Sequence, residues 1–386
     1  MGMRADMFTA LVLASALICG CGGGGGEKTT TPPPVTPTAA AAPTIASFSN
    51  SGLQNGAVIV SLGFTTPGSV IHYTLDGSTP TTASQIFQAP ILVSTNLTIK
   101  AIASASGFSD SAVTSQSFTP NIASGALVWS DEFSNSGSSN GLPDPKNWTY
   151  DTGFQCCGNN EQETYCAAGS TAAPCDPNSP NAYLDTTGIL HVMARNPTGA
   201  TYTSARLKTQ GLFSFQYGRI EARMKLPESQ GMWPAFWLLG NNIKTLSWPA
   251  CGELDVMEHI DGSNPALYVG GTPPGYDWIA GSVHGGTSAS EANGTQQYHP
   301  NGFSAAAWHN YGMIWSKGQV QFYVDDPANV YATFTPANFP GTWPFDQGPQ
   351  FIILNLAVGG DWPGNVNGTT VFPGDMQVDY VRIYTN

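Results

Sequence analysis

The segment Trp248-Pro249-Ala250-Cys251-Gly252-Glu253-Leu254-Asp255-Val256-Met257-Glu258 places three acids between Glu253 and Glu258, in a chain where only 26 of 386 residues are acidic. Side chains of an extended strand alternate, so Glu253 and Asp255 share one face while Leu254 and Val256 take the other. The segment therefore reads as a sheet strand with one acidic face and one core face. Strict alternation would set Met257, not Glu258, beside the first two acids. One extra residue, a β-bulge near Val256 or Met257, brings Glu258 onto the acidic face, and bulges are common beside active sites. Like charges crowded on one face raise one another's pKa, so the pattern points to a functional site more than to a decorated surface.

Working outward, the period of two recurs in Ile189-Leu190-His191-Val192-Met193, Gly218-Arg219-Ile220-Glu221-Ala222-Arg223-Met224, Gln319-Val320-Gln321-Phe322-Tyr323-Val324 and Phe351-Ile352-Ile353-Leu354-Asn355-Leu356. No convincing amphipathic helix interrupts these runs between about Ala126 and the C-terminus. So many strands argue an all-β sandwich or jelly roll over residues 121–386, a size such folds reach as one domain. Aromatic residues precede the acidic strand: Trp233, Phe236, Trp237 and Trp248. Flat apolar rings stack on the CH faces of sugars and lower the local dielectric beside carboxyl groups. Phe236 reads as core; Trp233 and Trp248, each followed by Pro, read as cleft wall, and Trp237 fits either place.

Composition narrows the field. The 13 Lys and Arg against 26 Asp and Glu leave a formal charge of −13, which cannot neutralise a phosphate backbone, so nucleic acid is excluded as a partner. Only 10% of residues are charged, while Gly numbers 44 and Pro 29, a balance typical of exported β-rich proteins. Arg4 and the apolar run Met7 to Ile18 match a secretory signal over 1–20 and are too short to span a bilayer. The sequence Leu17-Ile18-Cys19-Gly20-Cys21 resembles a bacterial lipobox, so the protein is expected to be exported and anchored at the cell envelope through a lipid on Cys21. Residues 21–43, rich in Gly, Thr, Pro and Ala, read as a linker. Cys156, Cys157, Cys166 and Cys175 are expected to form two disulfides, with three pairings open and a zinc site as the weaker rival; Cys251 is left as a buried free thiol. The phosphate-cradling, nucleophile-elbow and H-E-x-x-H motifs are absent, and the chemistry is expected to need no cofactor.

Two resemblances follow from these motifs. Residues 44–120, with Ile71-His72-Tyr73-Thr74-Leu75-Asp76-Gly77-Ser78-Thr79-Pro80 and Gly107-Phe108-Ser109-Asp110-Ser111, resemble the fibronectin-like module at the C-termini of chitobiases and hexosaminidases. This implies a small β-sandwich in an accessory role. It has no Trp for a sugar platform, so a spacer is the favoured reading over carbohydrate binding. The remainder resembles glycoside hydrolase family 16, its laminarinase-like branch in particular, through Gly231-Met232-Trp233-Pro234-Ala235-Phe236-Trp237-Leu238-Leu239-Gly240, the acidic segment, Asn159-Asn160-Glu161, Asn355-Leu356-Ala357-Val358-Gly359-Gly360 and Val378-Asp379-Tyr380-Val381-Arg382-Ile383-Tyr384.

That resemblance implies a concanavalin A-like β-jelly roll with a cleft across its concave sheet, and a retaining endo-acting hydrolase for which β-1,3-glucan is the favoured polysaccharide. Glu253 would be the nucleophile, Glu258 the general acid and then base, and Asp255 the residue between them that directs the proton. Burial and neighbouring carboxylates should raise the pKa of Glu258. Trp233, Trp237, Trp248, His284, Arg219 and Asn355 are expected at the substrate, and Glu132 and Asp379 at a structural calcium. His259 is given no role, and the protein is expected to act as a monomer. The rivals are a mixed-linkage glucanase, agarase or carrageenase of the same family, and a non-catalytic glucan-binding protein on the same scaffold.

Overall fold

A computed structural model describes residues 37–134, 141–260, 277–287 and 289–386. The expected signal segment, Cys21 and most of the linker lie outside the described residues. The all-β expectation holds: the described chain is strands and turns, with a single four-residue helix at Ile243–Leu246.

Two large sheets stack in the larger unit. One has seven strands side by side in the order Ser290–Tyr298, Ile279–Thr287, Glu253–Glu258, Met232–Gly240, Gln350–Val358, Arg206–Lys208 and Thr149–Asp151. The other has eight and carries Gly218–Lys225 between Gly374–Tyr384 and His309–Ser316. Alternation decides what lies between them. Phe236, Leu238, Leu254, Ile352, Leu354 and Leu356 from the first sheet meet Ile220, Ala222, Met224, Met313, Trp315, Phe322 and Val381 from the second in one buried cluster. The outer face of the seven-stranded sheet is thereby left to the residues between those core positions. Gly240 ends one of these strands where residue 251 folds back; a Cβ there would lie 2.0 Å from the Cys251 carbonyl oxygen.

The accessory module forms a three-stranded and a four-stranded sheet around Val60, Leu62, Ile71, Tyr73, Ile99 and Ala101. Its strand Val58–Gly63 is buried on both faces. Val60 and Leu62 face the module's own core, whereas Ile59, with Ala57 and Leu92, joins the core of the larger unit. Backbone hydrogen bonds run across the junction: Ser130 to the Gly52 carbonyl at 2.9 Å, Gln54 to Val128 at 3.0 Å, Leu92 to Ser214 at 2.7 Å and Ser214 to Pro90 at 3.0 Å. The module is therefore docked on the larger unit through a shared core. The apolar run Val58-Ile59-Val60 looked like a strand of a free-standing sandwich, but half of it is an interface.

Among the three cysteine pairings left open, the structure joins Cys156 to Cys157 and Cys166 to Cys175. Cys251 is free and buried, and burial pushes its thiol up to about 12.

Candidate active site

The acidic strand contains the bulge that its spacing predicts. On one side Trp237 pairs with Asp255 and Phe236 with Met257; on the other Asp255 pairs with Ser282 and Glu258 with Ala280. Val256 has no opposite number, and both Val256 and Met257 point into the core, 1% and 0% exposed. Burying two consecutive apolar side chains turns Glu258 back to the outer face with Glu253 and Asp255. The energetic reason is local: one extra residue lets the strand satisfy its core without sending an acid into it.

His284 sits opposite Glu253 on the neighbouring strand. Its Nε2 is 3.1 Å from Asp255 Oδ2 and its Nδ1 is 2.7 Å from Glu291 Oε1. Burial alone would lower the imidazole pKa, but the Asp255 contact, the charges of Asp255 and Glu253 and the hydrogen bond with Glu291 outweigh it and raise the group to about 10. His284 is therefore an imidazolium at neutral pH, a fixed countercharge for a cluster of acids. Glu253, Asp255 and His284 hold ligand atoms within 4.8 Å of one another, a spacing that suits a metal.

Both glutamates are half-buried, and burial pushes both carboxyl groups up, with the charge of Asp255 adding to it. The positive charge of His284 opposes the rise in both; Arg206 and a hydrogen bond from Trp248 Nε1 to Oε2 at 3.1 Å also oppose it at Glu253, and a hydrogen bond from Trp233 opposes it at Glu258.

The expected aromatic residues take distinct places. Trp233 donates from Nε1 to Glu258 Oε1 at 2.9 Å, and its ring stands edge-on to Trp362, with centroids 5.4 Å apart. Trp248 is exposed on the 241–252 loop. Trp237 lies on the outer face under the Arg206 guanidinium, 4.6 Å from the ring centroid. Asn355 is buried; it accepts from Trp237 Nε1 at 2.7 Å and donates to the Tyr165 hydroxyl at 3.2 Å, so it holds the tryptophan ring in place. Phe236 is fully buried, as expected. His259 is also buried, with Nδ1 2.8 Å from the Trp278 carbonyl oxygen.

Three expected site residues are displaced. Arg219 belongs to the eight-stranded sheet, where it donates to Glu221 Oε2 at 2.6 Å and the Tyr323 hydroxyl at 3.0 Å, with its guanidinium over the Tyr384 ring. Its neighbour Ile220 faces the core, so alternation points Arg219 away from the acidic face. Glu132 and Asp379 do not fit a calcium site. Glu132 receives both Nε and Nη2 of Arg382 at 2.9 and 2.7 Å, and Asp379 receives Arg223 Nη1 at 2.7 Å. Guanidinium groups stand where a cation would have to sit.

Sequence reasoning passed over Arg206, Glu291 and Trp362. Trp362-Pro363 repeats the Trp-Pro pair of Trp233 and Trp248, a signal that was available. Nothing local marks Arg206, which reaches the site through sheet pairing with Asn355.

The Asn159-Asn160-Glu161 motif leads into a buried acid pair. Glu163 is fully buried, accepts the Val358 amide at 2.8 Å, and is pushed up to about 9 by burial and by Glu161. A carboxyl whose folded pKa lies above its unfolded value contributes stability that is complete below the unfolded pKa and is lost as pH rises through the folded one. The melting temperature should therefore decline between about pH 4.3 and pH 9. Glu163→Gln, which cannot ionise and keeps an acceptor for Val358, should flatten that decline; parallel melting curves for the two proteins across this range would refute the assignment.

The comparisons agree with this geometry. The profile of "Glycosyl hydrolases family 16" matches residues 176–382, and that of the "Chitobiase/beta-hexosaminidase C-terminal domain" matches residues 49–115. A beta-glucanase of Rhodothermus marinus is 36% identical over 270 residues, which are 67% of this chain and 84% of that protein. Among solved structures, an endo-beta-1,3-glucanase from Pyrococcus furiosus is 36% identical with a TM-score of 0.54, over 68% of this chain and 94% of the other. The laminarinase catalytic domain from Thermotoga maritima is 33% identical with a TM-score of 0.54, over 68% and 99%. Sequence, sheet order and the clustered acids converge: this chain belongs to glycosyl hydrolases family 16 and is a glycoside hydrolase.

Proposed function

We propose that the protein is a retaining, endo-acting β-1,3-glucanase in which Glu253 is the nucleophile and Glu258 the acid and base. The observation that carries this reading is the bulge at Val256, which gathers Glu253, Asp255 and Glu258 on one face beside Trp233, Trp237 and Trp248. Names of similar proteins, the endo-beta-1,3-glucanase and laminarinase above, support the choice of polysaccharide.

In the first half-reaction a Glu253 carboxylate oxygen bonds to the anomeric carbon while the glycosidic C–O bond breaks. The departing oxygen takes its proton from Glu258. In the second, the Glu258 carboxylate removes a proton from water, whose oxygen attacks the anomeric carbon, and Glu253 leaves as a carboxylate. The electrostatics suit an acid at this site, because burial and the neighbouring charge of Asp255 raise the Glu258 carboxyl and favour its protonated form. Asp255, ion-paired to His284, holds negative charge between them and favours a proton on whichever glutamate needs one. The Trp233 hydrogen bond fixes the acid's rotamer, and the aromatic wall of Trp233 and Trp362 supplies apolar surface for sugar rings.

We further propose export and attachment to the envelope through Cys21, on the strength of the apolar run Met7 to Ile18 and the lipobox-like segment. Incubation with laminarin, lichenan, agarose and carrageenan tests the enzymatic reading. Internal cleavage of laminarin with oligosaccharides of retained β-configuration is expected. Products only from lichenan, agarose or carrageenan would transfer the specificity to that rival, and glucan binding without products would make the protein a binding protein.

A further inference from the structure

The rung of the seven-stranded sheet that carries Asp255 continues sideways through Trp237, Ile353 and Lys208 to Thr149. Three strand spacings, about 14 Å, separate Asp255 from Lys208. A polysaccharide laid across the strands from the acids therefore passes over Trp237 and Arg206 and arrives at Lys208 after a few sugar residues. There it meets a cavity lined by hydrogen-bonding side chains: Thr149, Lys208 and Gln210 from the sheet edge, Asn241 and Lys244 from the segment that follows Gly240, and Gln88 from the accessory module.

The parts of this cavity are held in place from both domains. Gln88 Nε2 donates to Thr245 Oγ1 at 3.2 Å, beside Lys244, and Gln88 Oε1 has no hydrogen-bond partner among the described residues. Lys208 Nζ bonds Asp151 and Gln210 Oε1, the latter at 2.7 Å, so Asp151 offsets its charge. Arg206 Nε lies 3.1 Å from the same Asp151, which links the cavity to the residue over Trp237. Lys244 has no acidic partner among the described residues. Amides, a hydroxyl and ammonium groups all offer hydrogen bonds to a ligand made of hydroxyl groups.

We propose that this cavity is a distal subsite for a glucosyl residue of the substrate chain, and that the accessory module extends the cleft by contributing Gln88. The proposal rests on the reading of the protein as a glucan hydrolase. It also accounts for the docking of the module through a shared core, since a wall of a binding site must keep its place relative to the acids. A sugar held so far from the scissile bond adds affinity only when the chain is long enough to reach it.

The test uses the full chain and the variants Gln88→Ala, Lys244→Ala and the double substitution, assayed on laminari-oligosaccharides of increasing length and on laminarin. The expected result is a fall, roughly tenfold in the double variant, in the ratio of kcat/KM for long chains to kcat/KM for the shortest chain cleaved. An unchanged ratio would overturn the proposal. The same oligosaccharides are titrated by calorimetry into Glu258→Gln proteins with and without the double substitution. Weaker binding of long chains alone supports the subsite, and equal affinities reject it. If the unsubstituted protein cleaves no glucan, the hydrolase reading fails, while the titrations still decide whether the cavity holds sugar.

Discussion

Glu253→Ala and Glu258→Ala are both expected to lose turnover of laminarin, and azide should rescue them with opposite stereochemistry. In Glu253→Ala the nucleophile's space is empty while the acid remains. Azide entering that space attacks the face opposite the departing oxygen and gives an α-glycosyl azide in a single inversion. In Glu258→Ala the covalent intermediate still forms with a good leaving group, and azide then displaces Glu253 to give the β-azide after two inversions. Loss of the acid should lower kcat on a natural linkage on the order of 10²- to 10⁴-fold, and less for an aryl glycoside whose leaving group needs no proton. Loss of the nucleophile should be as severe and indifferent to the leaving group. The configuration of the azide product, read by NMR, assigns the roles. Identical anomers from the two variants would reject them, and an active variant of either kind would remove the pair from the mechanism altogether.

Phe236→Ala is expected to destabilise the protein by about 3–5 kcal/mol, the range for emptying a fully packed aromatic position. Phe236 is 0% exposed between the two sheets, directly opposite Met257, the inward residue of the bulge. For a unit of this size the cost corresponds to a fall of roughly 10 °C in melting temperature. Trp237→Ala, one position along, removes a ring from the outer face and should chiefly raise KM. Scanning calorimetry paired with laminarin kinetics separates the two: a melting shift under about 2 °C for Phe236→Ala would mean that the site relaxes around the lost ring and that the bulge does not depend on it.

The contrast between those adjacent residues shows how much was legible. Alternation in Met232–Gly240 and Glu253–Glu258 separates core from face wherever a strand has one face to bury, and it placed Phe236, Leu254 and the three acids. It also foretold the bulge, since Glu258 could not otherwise join Asp255. Arg219, expected at the substrate from the family resemblance, lies elsewhere, because alternation does not tell which sheet a strand enters. Its run Gly218–Lys225 has the same pattern as a cleft strand, but pairs into the opposite sheet, so its outward face looks away from the acids. Glu132 and Asp379 failed for a related reason: their partners Arg382 and Arg223 come from a neighbouring strand, and an acid in a sequence does not reveal a guanidinium waiting for it.

Short-range chemistry was therefore determined by the sequence alone: strand periodicity, the acid spacing that demands an extra residue, and the cysteine count that leaves Cys251 unpaired. Which strands lie side by side was decided only by the folded chain, because hydrogen-bonded neighbours such as Glu253 and His284, or Asn355 and Arg206, come from distant parts of the sequence and are matched by the burial of whole faces. The same burial turned Ile59 and Leu92 from an accessory core into an interface and carried Gln88 to the edge of the catalytic sheet. No local pattern encodes such a meeting, since it depends on the shape that two completed surfaces present to each other.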